Sequence, residues 1–85
     1  MARSRVLIVD DEKLLRHTLS EALKSWGYST SEAEDLQSGL AMLESDPPDV
    51  VLLDVHLPDG SGIDLLGTVK ARDGDAVVIM MTGSV

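Results

Sequence analysis

Cysteine is absent from the 85-residue sequence, which excludes a disulfide framework, a thiolate nucleophile and a metal site with cysteine ligands. Basic residues are scarce as well, because seven Lys and Arg stand against fifteen Asp and Glu and leave a net charge of −8. Binding to nucleic acid or to an anionic membrane surface needs clustered basic residues. We therefore expect neither as a direct partner.

The sequence also lacks any long apolar run. The first run, residues 6–9, contains four residues, whereas a secretory signal needs roughly 7–15 apolar residues and a membrane span about 20. The composition, with 44% hydrophobic and 26% charged residues, is typical of a globular protein. We expect residues 1–85 to form one small domain, soluble and cytoplasmic, and the missing cysteine fits a reducing compartment.

Short apolar runs predict four β-strands. Residues 6–9, 50–53 and 77–81 are continuously apolar, which is typical of parallel strands covered on both faces. The more polar residues 28–33 suit an edge strand.

Helical periodicity fills the intervals between the strands. In the first interval the apolar residues repeat along one helical face, namely Leu15, Leu19, Ala22, Leu23 and Trp26. We expect this face, Trp26 included, to lie in the core, with Gly27 ending the helix. Two more helices are predicted by Leu36, Leu40 and Leu43 and by Ile63, Leu66 and Val69. The order βαβαβαβ favours an α/β, open, doubly wound sheet, since the leucine-rich repeat pattern, whose period is similar, is not found.

Acidic residues follow two of the predicted strands. Asp10 and Asp11 come directly after the first strand, and Asp54 ends the third. If these strands are neighbours, three carboxylates converge at the carboxyl edge of the sheet, where ligands bind in such folds. Carboxylates crowded together repel, and a hard divalent cation relieves that repulsion. Oxygen ligands favour Mg²⁺ or Mn²⁺ over Zn²⁺. The alternative is that these residues only cap a helix and end strands.

Thr82 and Gly83 follow the fourth strand at the same predicted edge. The Thr82 hydroxyl can reach an anion held there, and Gly83 lets the backbone approach closely. Alternatively, Thr82 is an ordinary strand residue.

Three segments resemble the receiver domain of two-component response regulators, the CheY-like superfamily. They read VLIVDDE at residues 6–12, VVLLDVHLPDGSG at residues 50–62 and VIMMTGS at residues 78–84. The loop at 56–62 and the segment at 81–83 also resemble receivers of nitrogen-regulation-type transcriptional activators. The resemblance implies a flavodoxin-like parallel sheet of strand order 2-1-3-4, and a phosphorelay switch that controls an output domain outside this chain.

The resemblance also implies roles for the acidic residues. Asp54 would accept a phosphoryl group from the phosphohistidine of a sensor histidine kinase. Asp11 and Asp54 would ligate Mg²⁺, and Asp10 would do so directly or through water. His56 would contribute its backbone carbonyl to the metal.

Four further residues take roles from the same resemblance. The Thr82 hydroxyl and the Gly83 N–H would hydrogen-bond the phosphoryl group. Pro58 and Gly62 would shape the loop that leads into the third helix.

The sequence departs from the family pattern at its end. Receivers carry a fifth strand that ends in a lysine, with an aromatic residue before it, and this chain ends at Val85. We therefore expect a C-terminally truncated receiver without the fifth strand and the last two helices. Its fourth strand would form an exposed edge through which copies self-associate.

Self-phosphorylation and slow self-dephosphorylation are expected only of the complete domain, so the chain is expected to be a signalling module and not an enzyme. Two alternatives stay open. One is a binding-only pseudo-receiver. The other is a Mg²⁺-dependent phosphatase or phosphotransferase with an Asp nucleophile, although such enzymes often carry an Asp-x-Asp pattern on their first strand.

Overall fold

The computed structural model describes residues 4–81, and along that range strands and helices alternate as predicted. The long strands are β1 (Arg5–Val9), β2 (Ser29–Ala33), β3 (Val50–Asp54) and β6 (Val77–Met81). The helices are α1 (Lys13–Ser25), α2 (Leu36–Ser45) and α3 (Gly62–Arg72). A short hairpin, β4 (His56–Leu57) and β5 (Gly60–Ser61), lies where the sequence predicted only a loop.

The four long strands form one parallel sheet in the order β2-β1-β3-β6. Because β6 is the fourth predicted strand, this order confirms the expected 2-1-3-4 arrangement and the α/β class. The register pairs Val9 of β1 with Leu53 of β3. The residues that follow these two strands therefore meet at one edge of the sheet.

The core lies between one face of the sheet and the helices α2 and α3. Side chains at alternate positions of β1 and β3 enter it, namely Leu7, Val9, Val51 and Leu53. Leu43 of α2 and Leu65 and Val69 of α3 cover them. Burial of each such side chain contributes about 1.5–3 kcal/mol, so these contacts hold α3 against the strand that carries Asp54.

The prediction that the whole apolar face of α1 lies in the core is wrong. Trp26 is 73% exposed, and the buried residue of α1 is Ser20, whose hydroxyl shares a hydrogen bond with Thr30. The reason is that α1 packs on β1 and β2, while Val77 and Ile79 on β6 stay half-exposed. Trp26, one residue beyond the last turn of α1, therefore lies outside the core.

Gly27 follows this helix with φ +93°, in the left-handed region that glycine adopts at helix ends. This confirms the predicted end of α1. None of the helices in residues 4–81 has the length and apolar composition that crossing a membrane requires.

Candidate functional site

Three carboxylates converge at the carboxyl edge of the sheet. Asp10 follows β1 and Asp54 ends β3, and the two strands are hydrogen-bonded neighbours. Asp11 comes next along the loop into α1. One oxygen from each of the three side chains lies within 4.8 Å of the others. The sequence predicted that the three carboxylates converge if the first and third strands are neighbours, and in the structure they do.

Burial sets the electrostatics of this cluster. Asp10 is 4% and Asp54 5% exposed, whereas Asp11 is exposed. Burial raises the pKa of the Asp10 carboxyl above its ordinary value of 3.8, and the nearby Asp54 and Asp11 raise it further. A hydrogen bond from the Glu12 N–H to Asp10 Oδ1 (2.8 Å) and the charge of Arg16 oppose this rise in pKa. The cluster is thus short of positive charge.

Within residues 4–81, one carboxylate oxygen of Asp54 accepts a hydrogen bond and the other does not. Its Oδ1 accepts a hydrogen bond from the backbone N–H of His56 at 3.1 Å. Every fully enclosed side-chain oxygen or nitrogen in residues 4–81 has a hydrogen-bond partner. The second oxygen of Asp54, Oδ2, accepts no hydrogen bond from within residues 4–81.

The donor set of the cluster suits a hard divalent cation. All three groups are carboxylates, and among the described residues neither a histidine nor a cysteine joins them. Mg²⁺ prefers such oxygen ligands and retains several waters. The exposed Asp11 leaves one side of the cluster accessible to those waters.

The loop after Asp54 is shaped by the hairpin and by a close backbone approach. Pro58 lies in the turn between β4 and β5, and exposed His56 pairs with Ser61 across the hairpin. Gly62, the first residue of α3, donates its N–H to the Val55 carbonyl at 2.8 Å. A Cβ on Gly62 would lie 2.1 Å from the Asp54 carbonyl oxygen, so only glycine fits there.

Two candidate residues, Thr82 and Gly83, lie outside the residues that the structure describes. The strand before them is described to Met81, which pairs with Asp54 in the parallel register. Their roles stay predictions.

Sequence reasoning missed two contacts that support the site. Arg16 donates from Nη1 to the Asp10 carbonyl oxygen (2.7 Å) and from Nε to Glu32 (3.2 Å). Asp59 accepts hydrogen bonds from the N–H groups of Leu36 and Gln37 at 2.7 and 3.0 Å, so it ties the hairpin to the start of α2. The pairing of Arg16 with Glu32 and that of Asp59 with α2 have no local signal, since these partners lie 16 to 23 residues apart.

Comparison with known families gives a match over residues 6–85 to the family described as the response regulator receiver domain. Among curated proteins, the probable transcriptional regulatory protein TcrX of Mycobacterium tuberculosis is 40% identical over 77 residues. That alignment covers 91% of this chain and 33% of TcrX. The chain thus spans about a third of the length of this relative.

Solved structures share the fold. The response regulator TrrA from Thermotoga maritima, in complex with Mg²⁺-BeF, superposes with a TM-score of 0.86 at 34% identity, over 95% of this chain and 70% of TrrA. NtrX from Brucella abortus superposes with a TM-score of 0.88 at 31% identity, over 96% of this chain and 19% of NtrX.

Proposed function

This chain belongs to the response regulator receiver domain family, and on that basis we propose that it is a phosphoacceptor switch in which Asp54 receives a phosphoryl group from the phosphohistidine of a sensor histidine kinase. The observation that carries the proposal is the cluster of Asp10, Asp11 and Asp54, with carboxylate oxygens within 4.8 Å of one another. The second oxygen of Asp54, which accepts no hydrogen bond from residues 4–81, supports the assignment of this residue as the nucleophile.

Asp11 and Asp54 hold Mg²⁺ in this proposal, with Asp10 binding directly or through a water and His56 contributing its backbone carbonyl. The all-carboxylate donor set supports this assignment, and so does the Mg²⁺-BeF complex of TrrA. The same ligands suit Mn²⁺. When bound, the cation neutralises charge that develops on the transferred phosphoryl group.

The chain's own residues supply the nucleophile and its orientation. An Asp54 oxygen forms a bond to phosphorus while the bond from phosphorus to the histidine nitrogen of the kinase breaks, and that nitrogen keeps its electron pair. The His56 N–H holds Oδ1 of Asp54 at 3.1 Å, which orients the carboxylate. In this proposal Thr82 and Gly83 hydrogen-bond the phosphoryl oxygens. Pro58 and Gly62 shape the loop that leads from Asp54 into α3.

Residues 1–85 act as one receiver module that switches an output domain elsewhere in its parent protein. The description of TcrX as a probable transcriptional regulatory protein supports a transcriptional output, and the likeness to NtrX supports one of the nitrogen-regulation type. The absence of cysteine supports a cytoplasmic location.

The 85-residue chain also self-associates through β6 in this proposal. Val77 and Ile79 are half-exposed on that strand, and within residues 4–81 β6 pairs with β3 alone. An open apolar edge strand is a template for a second copy. Sedimentation should show a mass that rises with concentration, and a monomer at high concentration would refute this part.

Intact mass spectrometry tests the phosphoacceptor. The chain is incubated with a small-molecule phosphodonor, with and without Mg²⁺, beside Asp54→Asn, the control Asp75→Asn and a version extended beyond Val85. We expect the extended version to gain one phosphoryl group, and this gain to require both Mg²⁺ and Asp54. Asp75 is exposed and lies in the turn before β6, so its variant should behave as wild type.

Two other outcomes separate the alternatives. Phosphorylation of the extended version alone would mean that the chemistry needs elements beyond this chain. No phosphorylation of either version would overturn the proposal in favour of a binding-only pseudo-receiver. Release of phosphate from external substrates in many turnovers would instead indicate a phosphatase.

A further inference from the structure

Arg16 is a nearly buried cation beside the acidic cluster. Its side chain is 11% exposed although it lies on α1, and its partner Glu32 on β2 is 25% exposed. Burial of a guanidinium is costly unless its charge and donors are matched. The carboxylate of Glu32 matches the charge, and the carbonyl oxygen of Asp10 takes a second donor at 2.7 Å.

These contacts fix the backbone at the start of the acidic cluster. The N–H of Asp10 donates to the Ala33 carbonyl at 3.0 Å, and its carbonyl accepts from Arg16. That carbonyl belongs to the planar peptide that joins Asp10 to Asp11. Holding this plane restrains the backbone from which both carboxylate side chains extend.

Arg16 acts on the acidic cluster through its positive charge as well as through its hydrogen bonds. Its positive charge offsets repulsion among the carboxylates, while its Nη1 and Nε are engaged by Asp10 and Glu32. Glu32 therefore helps to hold the guanidinium against the Asp10 carbonyl, and these two hydrogen bonds involve none of the three carboxylates of the cluster. Lysine cannot reproduce this, because its ammonium lacks the planar fork that serves two acceptors in a fixed geometry.

We propose that Arg16, held by Glu32, is a positioning residue that sets Asp10 and Asp11 for cation binding. The role rests on the proposed function, since it concerns the same cation. A residue that only fastened α1 to β2 would change the stability of the fold and leave the affinity for the cation unaltered. Affinity measured on folded protein therefore separates the two roles.

The test is calorimetric titration of Mg²⁺ into the 85-residue chain, wild type and Arg16→Gln, Arg16→Lys and Glu32→Gln. Mutation of a residue that orients metal ligands typically lowers the affinity for the metal by about 10–100-fold. We expect Arg16→Gln to weaken Mg²⁺ binding by about 10-fold or more, with smaller losses for the other two variants. The control Arg72→Gln removes an exposed ion pair to Glu44 between α3 and α2 and should bind as wild type.

The outcomes distinguish this role from the proposed function. If the wild type binds Mg²⁺ and the folded Arg16 and Glu32 variants bind it equally well, the positioning role is refuted while the proposed function stands. If the wild type binds no Mg²⁺ and is not phosphorylated, the proposed function fails and this role fails with it. Should Arg16→Gln not fold, the comparison of Arg16→Lys and Glu32→Gln with wild type decides.

Discussion

The contact between Gly62 and the strand that carries Asp54 allows one prediction to be worked through from distances. In Gly62→Ala the new Cβ would lie 2.1 Å from the Asp54 carbonyl oxygen, 3.1 Å from its carbonyl carbon and 3.2 Å from Leu53 Cγ. Non-bonded carbon and oxygen atoms approach to about 3.3 Å, so α3 and β3 must separate by roughly 1 Å.

No rotamer change relieves this clash, because the nearest atom belongs to the backbone. Overpacking of a well-packed interior costs about 1–3 kcal/mol, sometimes more, and a backbone clash belongs at the upper end. The displacement also stretches the hydrogen bond from the Gly62 N–H to Val55, worth about 1 kcal/mol. We expect the free energy of unfolding to fall by about 3–4 kcal/mol, a large share of the roughly 4–13 kcal/mol typical of this length.

Gly67→Ala is the matched control. It makes the same substitution five residues later in the same helix, where a Cβ would meet no atom within 4 Å. Alanine is favoured over glycine in a helix interior by about 1 kcal/mol. The two identical substitutions should therefore change stability in opposite directions.

Urea unfolding followed by circular dichroism measures both changes. With a slope of about 1 kcal/mol per molar urea, the midpoint should fall by about 3 M for Gly62→Ala and rise by about 1 M for Gly67→Ala. If Gly62→Ala has no folded baseline, it can be measured in the Gly67→Ala background, because distant sites add. A Gly62→Ala midpoint equal to that of wild type would refute the packing argument.

Three further predictions concern carboxylates. The folded metal-free chain binds the Asp10 proton more tightly than the unfolded chain does, so the stability of the fold should decrease as pH rises from 3.8 through the raised pKa of Asp10. Urea unfolding in EDTA should show that Asp10→Asn removes this decrease. An equal decrease in wild type and variant would contradict the prediction. Hydrogen bonds from the Ser38 side chain and backbone lower the pKa of Asp35 below 3.8, so its stabilisation is present above 3.8 and is lost as pH falls through the lowered pKa. A carboxyl NMR titration should move toward 3.8 in Ser38→Ala, and an unchanged midpoint would contradict the cause. Asp59→Ala removes the acceptor of two N–H groups at the start of α2. The free energy of unfolding, measured in urea, should fall by about 1 kcal/mol. An unchanged free energy would show that water replaces the Asp59 carboxylate as the acceptor.

Local sequence pattern was sufficient to predict the order of the four long strands and the three helices, but not the short hairpin β4–β5. The apolar runs at 6–9, 50–53 and 77–81 became parallel strands within one residue of their predicted bounds. Such runs report burial on two faces, and an aspartate directly after a strand must lie at the sheet's carboxyl edge. The acidic cluster therefore followed once the strand order did.

Only the tertiary structure decided what each face and each charge contacts. The periodicity that placed Trp26 on the apolar stripe of α1 is a property of the helix alone, and its exposure depends on whether another surface reaches that end of the helix. The pairing of Arg16 with Glu32 joins α1 to β2, and neither residue carries a local mark of the other. The requirement for glycine at position 62 arises because α3 begins against the carbonyl of Asp54. A sequence pattern determines which residues can be buried or charged together along one element, whereas contacts between elements depend on how the chain brings distant segments within a few ångströms.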